Sequence, residues 1–293
     1  MKPARFEYCA PATLEEAIAL LAAAPEAKAI AGGQSLMPLL AFRLATPSLL
    51  VDLRRLSGLD RIAIGADGVR LGAKVRWRDI EADTRLAAAH PLLQEAVRHV
   101  AHYQIRNRGT VGGSLAHADP AAELPGIAVA CDGTIRVVGT AGARTIPAAE
   151  FFTGPLETAL RPGELITELH LPPWPPWPMT GRRWAFQEFA RRPGDFALAG
   201  AALFYDEDAD GRARDTHIGV IGACRRPHRL ASAEAIMNGR LVDETTIMAT
   251  AEAAAAAVDP PQDLHADADY RRALVATLVE RGLRAAARDG RRR

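Results

Sequence analysis

The sequence predicts an α+β protein in two parts. Strand and helix patterns are interleaved through the first half, whereas the second half shows strands first and helices after. Between them lies Pro172-Pro173-Trp174-Pro175-Pro176-Trp177-Pro178, whose five prolines have no place inside a regular element. We read it as a stiff extended connection. Recognition by a proline-binding module is the other reading, disfavoured because both flanks look folded. A chain of 293 residues fits one large domain or two ordinary ones.

Each element has a local reason. Phe6 to Ala10 reads as a short edge strand. Thr13 and Glu16 form a capping box that starts a helix, Leu14, Ala17, Ile18 and Leu21 keep its apolar spacing, and Pro25 ends it. Lys28 to Ala31 is a buried strand pattern, Leu36 to Leu44 a helical one, and Ser48 to Leu53 a strand. Arg61 to Ile64 and Val69 to Ala73 flank Gly65-Ala66-Asp67-Gly68 as a hairpin. Helical patterns run over Trp77 to Glu81 and Thr84 to His102, broken near Pro91, and again from Pro120 to Ala130, where Asp119 serves as N-cap and Pro120 as first helical residue. Ile135 to Gly139 and Arg144 to Ile146 read as paired strands, and Leu165 to Leu171 alternates as a strand. The second part begins at Arg183-Trp184-Ala185-Phe186. Its strands are Ala197 to Tyr205 and His217 to Ile221, separated by the polar turn Asp206 to Arg212; its helices are Ala231 to Asn238, Asp243 to Val258 and Ala268 to Ala287. Ala251 to Ala257 is a strong helix former suited to a close-packed face. The Arg291-Arg292-Arg293 tail reads as a solvated end.

Two glycine loops carry the chemistry. Arg106-Asn107-Arg108-Gly109-Thr110-Val111-Gly112-Gly113-Ser114-Leu115 places three glycines within five positions. Such glycines can take φ > 0 and turn successive N–H groups to one side, a concavity that binds phosphate. Thr110 and Ser114 add hydroxyls. Ala31-Gly32-Gly33-Gln34-Ser35-Leu36 repeats the chemistry after a strand, and a helix start beyond it favours anions. Two such loops suggest a ligand with adjacent phosphates, gripped from both sides. A Rossmann Gly-x-Gly-x-x-Gly is absent from both, which disfavours a nicotinamide fold of that type. Arg191-Arg192-Pro193-Gly194-Asp195-Phe196-Ala197 reads as an exposed turn able to present Phe196 to a flat ring, or simply as the start of a strand.

Other chemistry is weaker. His117 and Asp119 lack a third neighbour for a metal site. Neither Ser35 nor Ser114 sits in Gly-x-Ser-x-Gly, and the acids from Asp206 to Asp210 lack the spacing of a calcium loop. A formal net charge of +1 gives no electrostatic case for nucleic acid or a membrane surface. Cys9, Cys131 and Cys224 are far apart and read as reduced, mostly buried thiols of a cytoplasmic protein; they are too few to ligate an iron–sulfur cluster alone. No run is apolar enough for a membrane span, and the N-terminus does not resemble a signal peptide.

Together the two glycine loops, Asp119-Pro120-Ala121-Ala122-Glu123-Leu124-Pro125 and Arg191 to Ala197 resemble, in order, the FAD-binding medium subunits of molybdenum hydroxylases, the carbon monoxide dehydrogenase and xanthine dehydrogenase family. The resemblance implies a two-part FAD domain of the vanillyl-alcohol oxidase type over residues 1–176, then a C-terminal domain with a small antiparallel sheet and helices over 177–293. It implies FAD as cofactor, with Ala31, Gly32, Gly33, Gln34 and Ser35 and Thr110, Val111, Gly112, Gly113 and Ser114 as the diphosphate loops. Lys28 matches a basic position ahead of the first loop, with Ala29 and Ile30 leading into it and Leu36 following it. Glu123 stands where many relatives have aspartate bonding the adenosine half, Ile166 matches an apolar position near the cofactor, and Phe196 matches the residue that packs on the isoalloxazine ring. Near Gln187 and Glu188 relatives often have lysine.

The resemblance further implies partners: a small subunit with two-iron two-sulfur clusters and a large molybdenum-cofactor subunit, arranged as a dimer of heterotrimers. The chain then supplies no catalytic acid, base or nucleophile and no metal ligand. It carries electrons from the clusters to NAD, a quinone or oxygen, and the hydroxylated substrate belongs to another chain. A stand-alone FAD oxidase or reductase is the alternative, and a cofactor-free scaffold the one from another class.

Overall fold

In a computed structural model the protein is described over residues 2–175 and 181–289. Pro176, Trp177 and Pro178, the 176/177 boundary and the arginine tail lie outside the described residues.

The first part is built on two main sheets, with a two-stranded pair of Phe152–Gly154 and Glu157–Thr158 beside them. Glu7–Cys9, Leu49–Asp52 and Lys28–Ile30 form a parallel three-stranded sheet in that order, with Glu7–Cys9 at an edge. The Leu14–Ala23 helix, capped by the Thr13–Glu16 box, lays Ala17, Ile18 and Leu21 against Val51 and Leu53 to make a small core. Parallel strands need such crossovers, and one crossover carries the first glycine loop.

The second sheet is antiparallel and five-stranded: Ile62–Gly65, Gly68–Gly72, Leu165–Leu171, Thr134–Gly139 and Gly142–Pro147. Alternation sends Val69, Leu71, Ile135, Val137, Leu169 and Leu171 to one face. There they share the largest core with helices Pro91–His99, Val111–His117 and Glu123–Ala130.

The second part is an antiparallel four-stranded sheet of Arg182–Phe189, Ala199–Glu207, Ala213–Ile221 and His228–Arg229. Leu203, Tyr205, Ile218 and Val220 face helices Ala231–Met237, Glu244–Ala257 and Ala268–Asp289. Phe186, Ala202, Phe204 and Ile221 instead join the core of the first part. The two parts therefore meet through apolar side chains. Trp174, in the connection, lies 4.9 Å from the His90 ring of the first part and 5.2 Å from Phe204 of the second. This half of the connection is docked on both parts as well as spanning them.

Several boundaries differ from the sequence expectation. The helix after the first loop covers only Leu36–Ala41, because Arg43 turns left-handed at φ 58°. The pattern over Thr84 to His102 divides into Leu86–Ala89 and Pro91–His99, and Ala101 is left-handed at φ 42°. The helix expected from Pro120 begins at Glu123, since Asp119 Oδ1 accepts the Ala121 N–H and closes a separate turn. Val111–His117, expected as a loop, is helical with Thr110 as N-cap. Among the described residues no helix is long and apolar enough to cross a membrane.

Candidate cofactor site

The two glycine loops touch. A Cβ on Gly32 would overlap the Arg108 carbonyl oxygen and come within 2.9 Å of Gly109 Cα. Only glycine allows this approach, so the main chains of residues 31–35 and 106–114 form one structure, although some 75 positions separate them.

The donors are unevenly distributed between the loops. Val111 N–H donates to Val75 O at 2.9 Å and Gly112 N–H to Ala73 O at 2.8 Å. Gly113 N–H donates to Thr110 Oγ1 at 3.2 Å and Ser114 N–H to Thr110 O at 3.0 Å. The start of this helix is thus docked on the protein itself. Gly109, Gly112 and Gly113 do not take positive φ; their missing side chains give room instead. A Cβ on Gly112 would lie 2.7 Å from Ala73 Cβ, and one on Gly109 2.7 Å from Trp77 Nε1.

The first loop is the opposite. Gly33 takes φ 72°, and the N–H groups of Gly32, Gly33, Gln34 and Ser35 have no acceptor among the described residues. Thr110 N–H, one residue beyond that contact, also has none, nor do the Ser35 and Ser114 hydroxyls. All these positions except buried Thr110 are partly exposed. Adjacent amide donors without acceptors form an anion cradle, built here mainly from the first loop and completed by Thr110 N–H and the hydroxyls.

The cradle's scaffold includes residues that sequence reasoning passed over. Arg106 Nε donates to Glu81 at 2.9 Å, and its Nη1 donates to the carbonyls of Val100 and Ala101, fixing the approach to the second loop. Arg76 donates to Asn107 O at 3.3 Å. The Arg106–Glu81 and Arg76–Asn107 partners lie 25 and 31 positions apart, so no local signal reveals these two contacts. Thr110→Val keeps the shape but removes the N-cap acceptor, and should cost about 1 kcal/mol of stability by denaturant titration.

Other expected site residues sit around this centre. Lys28 is exposed at the start of its strand, and Ala29 and Ile30 lead into the loop. Ile166 is 5 % exposed and packs in the main core. Its neighbour Thr167 accepts the Ala73 N–H through its carbonyl, and Ala73 O in turn holds Gly112. Phe196 is 68 % exposed. Its turn is held close to the segment that leads into the second loop: a Cβ on Gly194 would lie 2.9 Å from Ala101 O. Glu123 opens its helix, and burial pushes its carboxyl up to about 7. Burial pushes the Cys131 and Cys224 thiols up to about 12, the state of inert structural cysteines. The described residues contain no group of His, Cys, Asp or Glu side chains that could hold a metal ion.

The arrangement offers an anionic ligand backbone donors without protein acceptors, within a fold whose two main N-terminal sheets are followed by a helix-backed four-stranded one. Residues 4–174 match the model of the FAD binding domain in molybdopterin dehydrogenase, and residues 184–286 that of the CO dehydrogenase flavoprotein C-terminal domain. The chain is 41 % identical to the nicotine 6-hydroxylase medium subunit of Paenarthrobacter nicotinovorans over 96 % of this chain and 97 % of that one. It is 34 % identical to the carbon monoxide dehydrogenase medium chain of Hydrogenophaga pseudoflava over 98 % of each. The structure superposes on a chain of quinoline 2-oxidoreductase from Pseudomonas putida 86 with a TM-score of 0.92, at 39 % identity and covering 99 % of both chains. For a chain of Hydrogenophaga pseudoflava carbon monoxide dehydrogenase the TM-score is 0.93, at 36 % identity, covering 98 % of this chain and 99 % of that one.

The protein belongs to the FAD-binding medium subunits of the carbon monoxide dehydrogenase and xanthine dehydrogenase family of molybdenum hydroxylases. Its cofactor is FAD, and it is an oxidoreductase subunit. The cradle fits that cofactor: amide and hydroxyl donors without protein acceptors suit a pyrophosphate, and the glycine contact leaves the backbone accessible to it.

Proposed function

We propose that this chain is the electron-carrying middle member of a three-subunit molybdenum hydroxylase, taking electrons from iron–sulfur clusters in a small partner and passing them to an external acceptor. A large partner carries the molybdenum cofactor, two heterotrimers associate, and the complex works in the cytoplasm. The parts divide at residues 176/177. When bound, FAD supplies the redox chemistry, exchanging electrons singly or in pairs.

The chain's own residues bind and orient. Gly32, Gly33, Gln34, Ser35 and Thr110 donate main-chain N–H groups to the diphosphate, and Ser35 and Ser114 add hydroxyls. Val111, Gly112 and Gly113 contribute by position, keeping the second loop against the first. Lys28, Ala29, Ile30, Ala31 and Leu36 frame the first loop. Glu123 faces the adenosine half, while Ile166 and Phe196 provide apolar contact to the ring system. The direct Gly32–Arg108 contact is the observation that carries this assignment.

The test is a pull-down of untagged chain from its native source. A cluster-bearing small protein and a molybdenum-bearing large one are expected with it, the preparation showing flavin absorbance. Recovery of a yellow chain without either partner would overturn the subunit reading in favour of a stand-alone flavoprotein.

A further inference from the structure

The five-stranded sheet gives one side to the main core through Val69, Leu71, Ile135, Val137 and Leu169. Alternation therefore turns Arg70, Arg136 and Glu168 to the other side. That side is hollowed. Gly72 has no side chain to fill the space, and Leu59 O packs so closely on it that a Cβ would lie 2.3 Å away. Leu14, from the first helix, borders the same space. The result is a cavity of about 340 Å³ where the two main sheets of the first part meet, within the size range of small-molecule sites. Leu14, Leu59, Ala63 and Val138 give it apolar walls.

The charges on this cavity do not balance. Arg61, Arg70 and Arg136 line it, with Glu168 as the one acid. Arg70 donates to Glu168 at 2.7 Å and to Asp67 at 2.7 Å, so it and the acid are already matched. Arg136 stands opposite Glu168 in register, yet that carboxylate pairs with Arg70. Among the described residues, the side chains of Arg61 and Arg136 have no hydrogen bond, ion pair or ring contact. Thr167 Oγ1 donates to Arg136 O at 3.2 Å and fixes the backbone that carries this arginine. Lys74 is not available to the cavity, because its ammonium is spent on Arg54 O and Leu56 O. A solvated arginine on a convex surface needs no partner. Two on one concavity with apolar walls concentrate positive potential there.

We propose that this cavity binds a small organic dianion, a phosphate monoester or a dicarboxylate. Its charged groups would meet Arg61 and Arg136, and its carbon body the apolar walls. Guanidinium forks match phosphate and carboxylate oxygens bidentately, and two unmatched cations suit two negative charges. The site is separate from the cradle, since no residue of 31–35 or 106–114 lines it. It is accordingly filled independently of FAD.

The experiment is calorimetric titration of the FAD-loaded full chain, so that the cradle is occupied, at low ionic strength and about pH 8, where a phosphate monoester carries two charges. The probes are phenyl phosphate, phthalate, benzoate and inorganic phosphate. Phenyl phosphate or phthalate should bind with Kd below about 1 mM; the tighter of the two tells ester from dicarboxylate. Benzoate, with one charge, should bind roughly tenfold more weakly than the better dianion. Inorganic phosphate, without a carbon body, should bind roughly tenfold more weakly than phenyl phosphate. Arg61→Gln and Arg136→Gln should each weaken the better dianion roughly tenfold or more. Both arginines are exposed, so the variants should melt with the wild type. Arg272→Gln, on the long C-terminal helix, should bind as the wild type does. No binding of either dianion up to about 10 mM, or binding that survives both arginine changes, would overturn the site. Benzoate as tight as the dianions would overturn the match of two charges. Inorganic phosphate as tight as phenyl phosphate would overturn the role of the apolar walls.

Discussion

Gly32→Val is expected to yield a chain that purifies without FAD. Any Cβ at this position overlaps the Arg108 carbonyl oxygen, which belongs to main chain that is itself hydrogen-bonded through Arg108 N–H to Ile105 O at 3.0 Å. Neither loop can yield by rotating a side chain, so they must separate. Overpacking of this kind typically costs about 1–3 kcal/mol, and more where backbone must move. Most of that cost falls on the cradle, since Gly32 lies outside both cores. Loss of FAD affinity by roughly 100-fold, with far-UV circular dichroism unchanged, is the expected outcome, each factor of ten corresponding to about 1.4 kcal/mol. Gly112→Val should act in the same direction by lifting the second loop off Ala73. Flavin-saturated mutant protein after gel filtration would show that the loops do not hold the cofactor.

Arg271→Leu should be the most destabilising single change in the second part. Arg271 is 3 % exposed and bonds Leu198 O at 2.7 Å, Gly222 O at 2.9 Å and Asp263 at 2.7 Å. Those carbonyls belong to the segments beside the Phe196 turn and at the end of the Ala213–Ile221 strand. Leucine would leave them buried without donors, a loss on the order of 3 kcal/mol. For a chain of this size that lowers Tm by roughly 5 °C. Arg272→Leu is the control: its partner Asp269 is an exposed neighbour, and such pairs contribute about 1 kcal/mol or less. Equal melting of the two variants would remove the structural role given to Arg271.

What could be read from the sequence follows the range of the forces involved. The Thr13–Glu16 box, the hairpin over Ile62–Gly72 and the alternating Leu165–Leu171 strand are set by neighbours a few positions apart, and they form where the pattern puts them. The Val111–His117 helix could not be read this way. Gly112 and Gly113 are poor helix formers; the helix forms because Ala73 and Val75, far back in the chain, accept its first N–H groups. The same tertiary bonds leave the first loop with the larger share of free donors, an asymmetry that two similar glycine motifs do not reveal. Arg271 is likewise silent in the sequence, because the carbonyls it binds come from segments tens of residues away.

The structure of the FAD-loaded chain tests the central claim most directly. Pyrophosphate oxygens within hydrogen-bonding distance of the N–H groups of Gly33, Gln34 and Ser35, with Thr110 closing the other side, are the predicted result. A pyrophosphate lying away from residues 32–35, or held instead by arginine side chains, would contradict it.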